Sequence, residues 1–218
     1  MEEVNLLGEY PKIKRDYDKR MAEKTPEVVR IAKQFGKEFF DGERKYGYGG
    51  YKYDGRWKPV VKRMKEFYKL AENASILDIG CGKGFMLNDF KELMPDCAIT
   101  GIDVSEYAIE NSMPSVKMYL QVASAEILPY PDKSFDLVIS INSIHNLPLS
   151  RLKTALREIE RVCRGHSYIT VDAWRNDQEK QNLFKWVLTA ESMMHVDDWK
   201  KLFKEVGYTG DYWWFIAD

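Results

Sequence analysis

Ten residues, Ile76-Leu-Asp-Ile-Gly-Cys-Gly-Lys-Gly-Phe85, constrain the fold of this 218-residue chain more than any other stretch. The run ending at Ile79 is short and apolar, the pattern of a buried strand. Glycines at 80, 82 and 84 follow, and glycine weakens both helix and strand interiors, so the chain turns there. Phe85–Leu93 then resumes with apolar residues at helical spacing. Strand, glycine bend and helix in that order open a βαβ unit, and the bend lies where an open α/β sheet binds its ligand.

The alternation continues. Ala98–Ile102 reads as a second strand before a helix capped by Ser105, Val116–Val122 as a third before a loop over 123–134, and Phe135–Ile141 as a fourth, apolar enough to be central. The spacing predicts an amphipathic helix over Ser150–Val162 and a fifth strand over Ser167–Ala173. It also predicts a helix over Val196–Val206 closed by Gly207, and a last strand near Tyr208–Ile216. The class is α/β: a Rossmann-like, mainly parallel sheet with helices on both faces. Residues 75–218 form this domain, and residues 1–74 are an N-terminal helical extension. Within the extension, Thr25 caps a helix with Pro26 at its first position, and Val28, Ile31, Phe35 and Phe39 recur along it. A second helix runs from about Trp57 to Glu72, with Val60, Val61, Met64, Phe67, Tyr68 and Leu70 on its buried side. Between them lies Tyr46-Gly-Tyr-Gly-Gly-Tyr-Lys-Tyr-Asp-Gly-Arg-Trp57, too rich in glycine for regular structure.

Composition excludes several classes. Hydrophobic residues are 44% and charged residues 31%, ordinary values for a globular chain and not for a disordered one. The net charge of −1 does not favour nucleic acid as a partner, although residues 1–74 carry +5 and residues 75–218 carry −6. No apolar run approaches the roughly 20 residues of a membrane span, and the charged first residues lack the apolar core of a signal peptide, so a cytoplasmic location is expected. Three cysteines at unrelated spacings and three isolated histidines suggest neither a disulfide framework nor a metal site.

The chemistry concentrates around the glycine bend. A dinucleotide fingerprint would be G-x-G-x-x-G, but Phe85 stands at its third glycine and the spacing is G-x-G-x-G. Asp78, two residues ahead of Gly80, is a poor neighbour for a pyrophosphate and a good one for a cationic amino group. Asp103, ending the second strand, can accept both hydroxyls of a ribose. The turn Val122-Ala-Ser-Ala125-Glu126 is small and acidic, suited to the edge of an adenine.

Taken together, these residues resemble the class I S-adenosylmethionine-dependent methyltransferases, particularly the ubiquinone/menaquinone-type metabolite enzymes. The likeness runs from about Ser75 to Val162 and rests on D-x-G-x-G-x-G, on Asp103 and on the L-P-Y-P-D-x-S-F-D segment. It implies S-adenosyl-L-methionine as cofactor and S-adenosyl-L-homocysteine as product. Asp78 with Gly80, Cys81, Gly82 and Gly84 would hold the methionine portion, and Asp103 the ribose. Val104 would pack on the adenine, Ala125 and Glu126 would lie near its edge, and Asn142 and Ser143 would line the cofactor. Ser124 departs from the acidic residue often found there. The family usually has two further strands, the last antiparallel. Only one is clear here, so either Leu183–Met193 supplies a strand or the sheet edge is trimmed.

Methyl transfer needs an aligned acceptor, exclusion of water and sometimes a base. His145 is the candidate general base, and the bland reading is a histidine that orients its loop. The loop residues Tyr46, Tyr48, Tyr51, Tyr53, Arg56 and Trp57 are candidates for a lid over cofactor and acceptor, since aromatic faces attract sulfonium and ammonium groups. Packing on the sheet end is the alternative. Asn146 and Trp174 complete the candidate acceptor contacts, with Trp186 and Glu191 in the long connection after the fifth strand. Trp199, Trp213 and Trp214 read as packing, His195 as a helix-start residue and His166 as a turn residue. The expected partner is a small-molecule methyl acceptor, without a membrane, for a monomer or homodimer. A protein or RNA methyltransferase, a non-catalytic S-adenosylmethionine-binding protein and a nicotinamide enzyme are the alternatives.

Overall fold

The computed structural model describes residues 1–11 and 14–218. Its helices are α1 (Tyr17–Glu23), α2 (Pro26–Ala32), α3 (Lys37–Asp41), α4 (Lys58–Tyr68), α5 (Phe85–Leu93), α6 (Glu106–Glu110), α7 (Leu149–Val162), α8 (Asp177–Trp186) and α9 (Val196–Val206). Its strands are β1 (Ser75–Ile79), β2 (Ala98–Asp103), β3 (Leu120–Val122), β4 (Phe135–Ile141), β5 (Cys163–Trp174), β6 (Met194–His195) and β7 (Asp211–Ile216). The sheet runs β3-β2-β1-β4-β5, with β7 and the two-residue β6 both pairing β5, and every strand pairing is parallel.

Alternation sorts the side chains of the central strands into two cores. Leu77, Ile79 and Val138 join Leu156 and Ile159 of α7 and Trp199 and Phe203 of α9 on one face. Ile76, Leu137 and Ile139 join Met64 of α4 and Phe90 of α5 on the other. Each fully buried leucine or isoleucine contributes about 1.5–3 kcal/mol. At the start of the strands, Asp136 accepts hydrogen bonds from the backbone N–H and the hydroxyl of Ser75 and pairs with Arg164, which holds its carboxyl well below the usual range. The extension closes the sheet's far side: Val4 N–H donates to Tyr212 of β7, Tyr212 N–H donates to Glu2, and Leu6 is fully buried.

Several expectations need correction. Val116–Val122 is a strand only from Leu120; Lys117–Tyr119 is a 3-10 turn, which lets Val116 and Leu120 both pack under Gly84. The helix begun at Pro26 does not continue through Phe39, because Phe35 turns left-handed (φ 48°) and Gly36 starts α3. The helix expected to reach Glu72 stops at Tyr68, where Lys69 adopts φ 51°, and Phe67 is exposed. Part of Leu183–Met193 lies in α8 and β6 is only Met194–His195, so that segment supplies no strand of its own. β7 runs parallel to β5, not antiparallel. His166 lies in β5 and stacks on Tyr68 at 4.7 Å, not in a turn.

Candidate active site

The candidate cofactor crevice lies where β1, β2 and β4 end. Asp78 is paired in register with Gly101 and Ile139, so its side chain starts from the middle of the sheet and is buried. No side chain or amide among the described residues donates to it. Burial pushes its carboxyl up to about 8, and the Asp103 carboxylate beside it adds to the shift. A buried acid without a donor is costly. A ligand cation beside it would offset that cost.

The bend after β1 has no room for side chains. Gly80 has φ 81°, and a Cβ there would stand 2.0 Å from the Ser143 hydroxyl. Gly82 has φ 54°, and a Cβ there would stand 3.3 Å from the Tyr51 ring. Both are conformations that L side chains rarely adopt. Asp103 fixes the bend: one carboxylate oxygen accepts the Gly82 N–H at 2.8 Å and the other the Ser105 N–H at 2.9 Å. Each oxygen keeps a further lone pair for a diol. Val104 beside it is exposed. Ala125 is buried, while Glu126 is bound to Arg151 of α7 and to Ser124.

At the tip of β4, Asn142 takes φ 50°, unusual for a residue other than glycine. Thr170 holds it there: the Asn142 N–H and Oδ1 both bond the threonine hydroxyl at 2.9 Å. His145 is buried. Its Nδ1 accepts the Asp172 N–H at 3.2 Å, and its Nε2 faces the Asp172 carboxylate at 3.5 Å. Burial lowers its pKa, against the opposing charge of Asp172. Its carbonyl accepts the N–H groups of Glu191 and Ser192, so the residue ties together β4, β5 and the connection after α8. Asn146 Oδ1 is buried without a hydrogen-bond partner among the described residues.

The glycine-rich loop divides. Tyr48 and Tyr51 stack at 4.4 Å, and Tyr51 lies on Phe85 at 4.7 Å, directly over the bend. Asp41 of α3 anchors this arrangement by accepting from Lys83 at 2.6 Å, from the Tyr107 hydroxyl at 2.7 Å and from the Tyr51 N–H at 3.2 Å. The other candidates point elsewhere. Tyr53 donates to Asp89 on α5, Trp57 packs on Tyr10, and Tyr46 packs against the small cluster around Val28 and Ala32. Arg56 is paired with Asp54 at the rim of the pocket described below, and Trp174 packs against Phe184.

Residues 77–171 match a family model described as "Methyltransferase domain". A tRNA (carboxymethyluridine(34)-5-O)-methyltransferase of Arabidopsis thaliana is 34% identical over 146 residues, 66% of this chain and 34% of that protein. Demethylmenaquinone methyltransferase of Symbiobacterium thermophilum is 29% identical over 128 residues, 55% of this chain and 50% of that protein. The solved YcgJ protein of Bacillus subtilis shares the fold, with a TM-score of 0.52 and 21% identity over 67% of this chain and 66% of its own. Residues 77–171 are a methyltransferase domain of the class I, S-adenosylmethionine-dependent kind. The chain spans about a third of the first relative's length and half of the second's, and the quinone-type subgroup is not singled out among them. No helix among the described residues is long and apolar enough to cross a membrane.

The methyltransferase fold implies S-adenosylmethionine, and the crevice fits it. A donor-less acid, a bend without a Cβ at 80, 82 or 84 and a carboxylate with spare lone pairs match an ammonium, a close-lying methionine chain and a ribose. Beside the crevice lies a pocket of about 910 Å³ reached by Tyr48, Tyr51 and Asn142. Its other walls include Tyr10, Trp186, Trp213, Trp214 and Phe215. Trp213 and Trp214 were expected only to pack; their place beside β5 puts them on the pocket wall as well. Trp186 was legible only as part of a long connection. Tyr10, Arg15 and Arg44 were missed, because nothing local in their sequence distinguishes them from solvated residues.

Asp103→Ala would leave the amides of Gly82 and Ser105 without their acceptor, costing about 1–3 kcal/mol of stability for each. It would also weaken S-adenosylhomocysteine binding at least tenfold. Denaturant unfolding and calorimetry measure the two effects separately, and unchanged affinity would remove Asp103 from the site.

Proposed function

We propose that this chain transfers a methyl group from S-adenosylmethionine to an oxygen or nitrogen atom of a small-molecule acceptor, releasing S-adenosylhomocysteine. The observation that carries the reading is the buried, donor-less Asp78 at the glycine bend on the central strand. When bound, the cofactor would supply an activated methyl group to the acceptor's lone pair, with S-adenosylhomocysteine as leaving group and the acceptor's proton lost to solvent. The protein's part is binding and alignment. Asp78 holds the ammonium, Asp103 the ribose hydroxyls, and Val104 and Ala125 flank the base, with Glu126 held by Arg151 near its edge. Asn142 and Ser143 line the cofactor from the tip of β4. Tyr51 covers the bend at Gly82, and Tyr48 packs against Tyr51.

We assign His145 as a positioning residue, because both ring nitrogens face Asp172 and the ring has no open side for an acceptor. His145→Gln is expected to lower thermal stability and turnover while leaving the shape of the pH–rate profile unchanged. Loss of one limb of that profile, with the fold intact, would restore the general-base reading.

Incubation of the purified protein with tritiated-methyl S-adenosylmethionine and a metabolite extract is expected to label acid-soluble products. Tight cofactor binding with no transfer would favour the non-catalytic alternative. One observation favours RNA as a second reading: the Arabidopsis relative is named for a tRNA substrate, and residues 1–74 carry +5. Label appearing in acid-precipitable RNA, and not in metabolites, would choose it.

A further inference from the structure

The pocket beside the crevice has an unusual electrostatic wall. Among the described residues that line it, six are lysine or arginine and Asp218 is the single acidic one. Two of the six are already neutralised, Arg56 by Asp54 and Arg175 by Glu179. Among the described residues, Arg15 and Arg44 form no ion pair with a carboxylate. Both lie against the same ring: the Arg15 guanidinium is 5.6 Å from the centroid of Trp186 and the Arg44 guanidinium 5.4 Å. A third, Arg20, stands 5.3 Å from that ring and is buried behind it. Its hydrogen bonds go to the carbonyls of Trp186, Arg44 and Lys45, and burial, with the charge of Arg44 adding, lowers it to about 10.

Three guanidinium groups around one indole repel one another. Cation–π contact offsets part of that repulsion, and hydrogen bonds to carbonyls another part. A fold that keeps such a group facing a cavity is complementary to an anion, and the planar fork of arginine suits carboxylate or phosphate oxygens. The remaining walls are flat. Phe215 lies 4.5 Å from the Arg15 guanidinium, and the Tyr48–Tyr51 pair leads back toward the bend.

We infer that this pocket is the acceptor site and that it takes a planar ring bearing an anionic group, carboxylate or phosphate, which Arg15 and Arg44 bind while the ring lies among the aromatic walls. The assignment of the pocket to the methyl acceptor rests on the cofactor reading above. The preference for a planar anion does not. Arg15 and Arg44 line this pocket, whereas Asp78 and Asp103 do not.

Calorimetry on the full chain saturated with S-adenosylhomocysteine tests this with three probes: 2-naphthoate, 2-naphthyl phosphate and the uncharged 2-naphthylmethanol. At least one anion is expected to bind tenfold or more tightly than the alcohol, and the tighter of the two identifies the preferred group. Arg15→Gln and Arg44→Gln are each expected to remove most of that preference, leaving the affinities for the alcohol and for S-adenosylhomocysteine within about twofold. Near-ultraviolet circular dichroism checks that each variant is folded, and Arg44→Lys should retain part of the preference. Equal binding of alcohol and anions would overturn the proposal. So would variants that weaken S-adenosylhomocysteine instead, because the arginines would then hold the cofactor's own carboxylate. An RNA oligonucleotide that displaces the naphthalene anions and binds more tightly than either would overturn the small-acceptor form. Failure of S-adenosylhomocysteine to bind at all would sink the cofactor reading, while anion selectivity measured without it would still report on this pocket.

Discussion

Gly80→Ala is expected to abolish measurable S-adenosylhomocysteine binding and to lower stability by about 3 kcal/mol or more. Two costs combine. The backbone at φ 81° is unfavourable for any residue with a Cβ, and the new atom would stand 2.0 Å from the Ser143 hydroxyl and 2.4 Å from its Cβ. Rotation could move the hydroxyl aside, but the Ser143 Cβ is fixed to its backbone. Relief requires the tip of β4 to retreat from the bend, which moves Ser143 and strains Asn142, already held at φ 50° by Thr170. The bend itself is bound at Gly80 and Cys81 to the carbonyl of Ile102, so it cannot simply swing away from β2. Calorimetric titration and urea unfolding on the same sample measure both losses. Affinity within twofold of the unsubstituted protein would mean that the ligand does not lie against this bend.

The second large effect is a pH dependence set by Asp78. Its folded-state pKa of about 8 lies above that of an unfolded aspartate, so the folded protein binds more protons than the unfolded chain between roughly pH 4 and 8. Stability contributed by this group is therefore greatest at low pH and falls as pH rises through that window. A bound ammonium reverses the preference, because it favours the carboxylate. Binding of S-adenosylhomocysteine should then release a proton below pH 8, and affinity should strengthen by up to about tenfold per pH unit from 6 toward 8. Asp78→Asn should raise the stability of the free protein near neutral pH, weaken binding at pH 8 at least tenfold, and flatten the pH dependence. Titrations in two buffers of different ionisation enthalpy count the proton directly. A pH-independent affinity in the unsubstituted protein would show that Asp78 does not meet the ligand's cation.

Much of the catalytic end was legible because its signals are local. A donor-poor acid followed by alternate glycines reports a backbone that must turn where no side chain fits, and the structure shows positive φ at Gly80, Gly82 and Gly84. Asp103 was read from its place at the end of a strand. His145 shows the limit of such reading: residue type and position suggest a base, but its hydrogen bonds to Asp172 come from a strand 27 residues away. Tyr46, Tyr48, Tyr51, Tyr53 and Trp57 look equivalent in sequence, yet of these only Tyr48 and Tyr51 line the pocket, and Tyr51 also lies against Gly82 of the bend. The difference is made by Asp41, which fixes the Tyr51 backbone from another helix.

By itself the sequence determined the strand–helix alternation, the parallel sheet it requires and the acid–glycine–acid arrangement at the ends of the first two strands. Each follows from spacing within a few residues, where sterics and burial periodicity act directly. Only the tertiary structure decided that β7 lies parallel against β5, that His145 is enclosed, and that Arg15, Arg44, Trp186 and Phe215 meet around one cavity. Those residues are separated by up to 200 positions along the chain, and no local propensity registers a contact that exists only after the sheet and the extension have packed together.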